Sequence, residues 1–63
     1  MTDLEAEFHE RCAIWQFDGG MSRVKAEQAT LTEMVTAYAT EHQVGRTRAL
    51  AALQAQGVGM VPA

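Results

Sequence analysis

The chain has 63 residues, with eight acidic side chains against five basic ones and a net charge of −3. A chain of this length forms one domain at most and buries only about 60% of the surface its unfolded form exposes, which leaves little chain for a catalytic pocket and argues against an enzyme. Its single cysteine, Cys12, leaves no pair for a disulfide or a thiolate-rich zinc site, and no apolar run approaches the ~18 residues of a membrane span or a signal peptide's pattern.

A first helix is expected over about 3–18. Thr2 and Glu5 have the S/T-x-x-E spacing in which a hydroxyl caps the first turn. Asp3, Glu5 and Glu7 crowd that turn, where carboxylates complement the helix dipole. Leu4, Phe8, Cys12 and Trp15 recur at four, four and three, so they share one stripe. Ala6, Ala13 and Phe17 fall on the opposite side, with Ile14 between. The helix is therefore apolar on more than one side towards its end. Asp18, Gly19 and Gly20 stop it, with a glycine suited to a positive φ.

A second helix is expected over about 23–43, capped by Ser22. Val24, Gln28, Leu31, Val35, Tyr38 and His42 set its apolar rhythm and Met34 widens it. Thr30 and Glu33 repeat the capping spacing, which marks 29–31 as the place for a kink or break. Thr32, Thr36 and Thr40 lie four apart and form a polar ridge. Gly45 is expected to end this helix. The third helix, about 47–56, takes Thr47 as its N-cap, Leu50 and Leu53 as its apolar positions and Gly57 as its stop. The tail, 58–63, either folds back over the core or stays loose. These elements define an all-α, small three-helix domain over residues 1–63.

The charge is uneven. Residues 1–18 hold Asp3, Glu5, Glu7, Glu10 and Asp18 against Arg11 alone, whereas residues 19–63 hold three acids against Arg23, Lys25, Arg46 and Arg48. The acidic start repels phosphate backbones and attracts basic partners. Tyr38 and His42, one turn apart, suit a hydrogen-bonded pair at the core edge or an exposed binding pair. Glu5, His9, Cys12 and Gln16 share a flank of the first helix, but no second group completes a metal site or a catalytic constellation there. The sequence accordingly predicts neither a metal nor a cofactor. Ile14, Trp15, Phe17, Met21 and Met34 serve either as core or as an interface, and the apolar excess on the first helix favours a partner or a homodimer. From Tyr38 to Leu53 the chain also has the outline of a helix-turn-helix, in which Arg46, Thr47 and Arg48 would face DNA.

Residues 10–27, ERCAIWQFDGGMSRVKAE, resemble a segment of short proteins of phages, plasmids and integrative elements that reads E-R-A-A-I-x-E-(F/Y)-D-G-G-(L/M)-(S/P)-R-x-x-A-E. Cys12 and Gln16 depart from it, standing where alanine and glutamate are expected. The resemblance covers 18 positions, carries no catalytic residue, and implies a mobile-element origin in the cytoplasm of a bacterium. The expected function is protein binding: Asp3, Glu5, Glu7, Glu10, Ile14, Trp15 and Phe17 would contact a larger host or element-encoded protein. Such a contact suits an inhibitor of a nucleic-acid-binding or defence complex, or equally a structural accessory. The alternative is a dimeric DNA-binding regulator using Arg46, Thr47 and Arg48. No membrane partner is expected.

Overall fold

The computed structural model of the chain describes residues 2–59. It contains three helices, α1 (Asp3–Phe17), α2 (Arg23–His42) and α3 (Arg46–Ala55), and no strand among the described residues. The all-α expectation therefore holds. α2 is the spine: α1 and α3 both pack against it and meet each other less. At 1.5 Å per residue α2 is about 30 Å long, which sets the 32 Å long dimension of the molecule.

Local chemistry fixes most helix ends. Thr2 Oγ1 accepts from the Glu5 amide at 3.1 Å, and Ser22 Oγ accepts from the Lys25 amide at 3.3 Å, so both expected caps form. Thr2 Oγ1 also donates to the Gln56 carbonyl at 3.0 Å, which ties the start of α1 to the end of α3. The stop after α3 is a Schellman turn. The Val58 amide donates to Leu53 O and the Gly57 amide to Gln54 O, each at 3.0 Å, while Gly57 takes φ +87°, where a side chain is strained. After α1 it is Gly20, at φ +67°, that turns the chain.

Two boundaries differ from expectation. α2 ends on Gln43, in the left-handed region at φ 55° and ψ 48°, rather than on Gly45. The Val44 amide then reaches the Ala39 carbonyl at 3.1 Å, and Val44 packs on the core. This inward pull on Val44 sets the turn two residues early. Gly45 becomes the N-cap of α3, with no side-chain cap bond, and Thr47 lies inside the helix instead of capping it.

Phe8, Met34, Val35, Ala49, Leu53 and Val58 form the buried cluster, with Leu4, Cys12, Leu31, Tyr38, Ala39, Val44 and Leu50 packed around it. Val58 is fully buried, so the tail's first residue is core; residues 60–63 lie outside the described residues. On α2 the buried positions are Ala26, Thr30, Met34 and Val35. Val24, Gln28 and His42 are exposed, which corrects their place in the expected stripe. Small residues occupy the contact with α1, where Cys12 Sγ comes within 3.9 Å of the Ala26 carbonyl oxygen. α2 runs as one α-helix through 29–31, because burial of Thr30 against its neighbours holds the segment that its capping potential would open.

Candidate functional site

Asp3, Glu7, Glu10, Ile14 and Phe17 follow one another at spacings of four and three, so they share the stripe of α1 that faces away from Phe8. From Asp3 to Phe17 this stripe runs about 21 Å. Its first half is acidic and its second half is apolar. Asp3 and Glu10 are exposed and Glu7 is half-buried. Ile14 is 53% exposed and Phe17 is 80% exposed. The core side of α1 is already supplied by Leu4, Phe8 and Cys12, so the fold makes little use of Ile14 and none of most of Phe17.

The other two residues expected on this face lie elsewhere. Glu5 is half-buried, and its carboxylate lies over Gly57, where a Cβ on that glycine would come within 2.8 Å of Oε2. Trp15 is half-buried and packs beside Gly19, whose Cβ, were there one, would sit 3.3 Å from the indole and 2.7 Å from the Trp15 carbonyl oxygen. The seven expected contact residues thus split into an outer stripe of five and two side chains that support the helix ends.

Arg11 is a residue that the sequence reading passed over. Its Nη2 donates to Glu7 Oε1 at 3.0 Å and its Nη1 to Glu33 Oε2 at 3.4 Å, so it links α1 to α2. The Glu7–Arg11 spacing of four was readable as a helix pair; the bridge to Glu33 depends on how the helices pack. Val24, 64% exposed, is a second missed apolar surface residue, hidden by its fit to the α2 rhythm.

At the other end of the molecule, Arg46, Thr47 and Arg48 are all exposed at the start of α3. Arg46 Nη1 donates to Thr36 Oγ1 at 2.9 Å, so one of the two guanidinium groups is fastened to α2. Thr36 belongs to the expected ridge, and Thr32, Thr36 and Thr40 are exposed. The rings of Tyr38 and His42 stack, with centroids 4.1 Å apart and planes at 30°; their relation is ring on ring rather than a hydrogen bond. His9 meets Phe8 edge-on at 5.7 Å, while Cys12 turns to the Ala26 carbonyl and Glu5 to Gly57, so that flank diverges. Among the described residues no three His, Cys, Asp or Glu side chains gather as metal ligands, and no helix is long and apolar enough to cross a membrane. Comparison of the chain with protein-family models, curated proteins and solved structures finds no match.

Proposed function

We propose that this chain acts by binding another protein through the outer stripe of α1. The observation that carries the reading is the exposure of Ile14 and Phe17 on the same stripe as Asp3 and Glu10. Full burial of a side chain of this size is worth roughly 1.5–3 kcal/mol. The fold leaves most of that unused, and a partner that covers both residues recovers it. The acidic half of the stripe selects a partner of positive potential and speeds encounter with it. A basic nucleic-acid-binding surface on a larger protein has that chemistry. Together with the resemblance of residues 10–27 to mobile-element proteins, this suits an inhibitor of a host nucleic-acid-binding or defence complex, or equally a structural accessory of such a complex.

The test is affinity capture from nuclease-treated host extract, with wild type and Phe17→Ser side by side. A partner recovered in stoichiometric amount by wild type and lost with Phe17→Ser supports the reading. A partner retained by Phe17→Ser and by Ile14→Ser contradicts it.

One observation favours a second reading, that of a DNA-binding regulator. The first turn of α3 has no side-chain cap and presents Arg46, Thr47 and Arg48 to solvent, and free helix amides with nearby guanidinium groups suit phosphate. Specific retardation of DNA from upstream of its own operon, lost with Arg48→Ala, would establish it. Equal mobility of that DNA with and without the protein would end it.

A further inference from the structure

Val24, Gln28, Thr32 and Thr36 are four apart on α2 and all exposed, so they form one open ridge along the helix. Two hollows border this ridge. One, of about 200 Å³, is edged by Val24, Gln28 and Leu31. The other, of about 260 Å³, is edged by Leu31, Leu50 and Arg46. Val24 is 64% exposed, and Leu31 and Leu50 are half-buried, so all three offer apolar surface to an occupant. Both hollows are smaller than the ~300–1,000 Å³ of small-molecule sites and suit single side chains. The row carries an unanswered charge at one end. Glu27, which shares the Val24 hollow, is paired with Arg23 at 3.1 Å. Arg46 is fastened to a neutral oxygen, Thr36 Oγ1, and among the described residues no carboxylate pairs with it.

The outer stripe of α1 has the complementary order, apolar at Phe17 and Ile14 and then acidic at Glu10. The spacings also agree. Let α1 of a second copy run antiparallel to α2 with its Ile14 over Leu31. Phe17 then lies about 4.5 Å towards Val24, and Glu10 about 6 Å towards Thr36. Thr36 is itself about 7.5 Å along the helix from Leu31, and Arg46 is held there. The two exposed apolar residues thus meet the two hollows, and the carboxylate meets the unanswered guanidinium. A parallel arrangement would carry Glu10 towards Val24 and Phe17 towards Arg46, and both matches are lost. We infer that the row along α2 receives the α1 stripe of a second copy of this chain. Because each copy carries both faces, two chains exchange them about a two-fold axis. The contact is a single helix stripe, at the small end of interfaces, and is therefore transient. The inference goes beyond the proposed function but uses the same stripe, so a second copy and a larger protein compete for Ile14 and Phe17.

The experiment is sedimentation equilibrium of the full chain from about 10 µM to 1 mM, the range of weak contacts. Wild type is expected to pass from monomer to dimer mass. Glu10→Arg and Arg46→Glu each set like charges against one another and are expected to weaken association about tenfold. An equimolar mixture of the two restores opposite charges at both contacts of the pair, and is expected to associate as wild type does. Val24→Ser is expected to weaken association about fivefold by removing apolar contact. A wild type that stays monomeric throughout, association indifferent to Arg46→Glu and Val24→Ser, or a mixture no stronger than either variant alone would overturn the inference. Failure here is distinct from failure of the proposed function. A chain that never dimerises still captures a larger protein and loses it with Phe17→Ser, and Val24→Ser, which spares α1, leaves that capture unchanged.

Discussion

The two helices that flank α2 use their apolar residues in opposite ways. α3 places Ala49 and Leu53 in the core and half-buries Leu50, and the rest of its surface is polar, charged or alanine. α1 fills its core side with Leu4, Phe8 and Cys12 and then carries Ile14 and Phe17 on the outside. The apolar content of α3 is explained by folding alone, whereas that of α1 is not. On the reading proposed above, the large apolar side chains that α1 leaves in water serve a partner.

Substitutions sharpen or break this contrast. The largest effect is expected at Leu53, where Leu53→Ala removes a side chain 1% exposed and should cost about 3 kcal/mol. At roughly 4–8 °C per kcal/mol for a domain this small, thermal unfolding followed by circular dichroism will register it or fail to. Gly57→Ala should cost about 1–2 kcal/mol, because an L side chain at φ +87° is strained; the Glu5 carboxylate over it is flexible and will move aside. Thr30→Val should stabilise by about 1 kcal/mol, since Thr30 is fully buried and its Oγ1 has no hydrogen-bond partner, a state that carries a desolvation penalty. Denaturant midpoints of the two proteins decide this, and an unchanged or lowered midpoint would mean that the hydroxyl is satisfied. Gln43→Gly should give the smallest gain, under about 1 kcal/mol, by relieving the left-handed residue at φ 55°. A loss instead would show that the Gln43 side chain holds the turn.

The parts of the fold that were legible in the sequence are those set by neighbours along the chain. Thr2, Ser22 and Gly57 act on amides and carbonyls within a few residues, so their spacing sufficed. The apolar outer side of α1 was legible for the same reason, because helical periodicity alone separates Phe17 and Ile14 from Phe8. What failed to show depends on distance in space. Ala26 and Thr30 are buried because α1 comes close to α2 there, and small size, not hydropathy, admits that approach. Gln43 replaces Gly45 at the turn because Val44 is drawn to a core that the local sequence does not display. That Trp15 and Glu5 stand off the outer stripe, by contrast, follows from periodicity alone, Trp15 lying on the side of Leu4, Phe8 and Cys12; only their places beside Gly19 and Gly57 depend on the fold.

On the proposed reading, Ile14 and Phe17 serve a partner and not the fold. The most direct measurement compares wild type with the double variant Ile14→Ser/Phe17→Ser in thermal unfolding and in quantitative capture of the same partner. The midpoint should stay within about 8 °C of wild type, as for two surface substitutions of about 0.5 kcal/mol or less each, and the partner should be lost. A midpoint that falls as far as that of Leu53→Ala, or a partner bound as well as before, would contradict it.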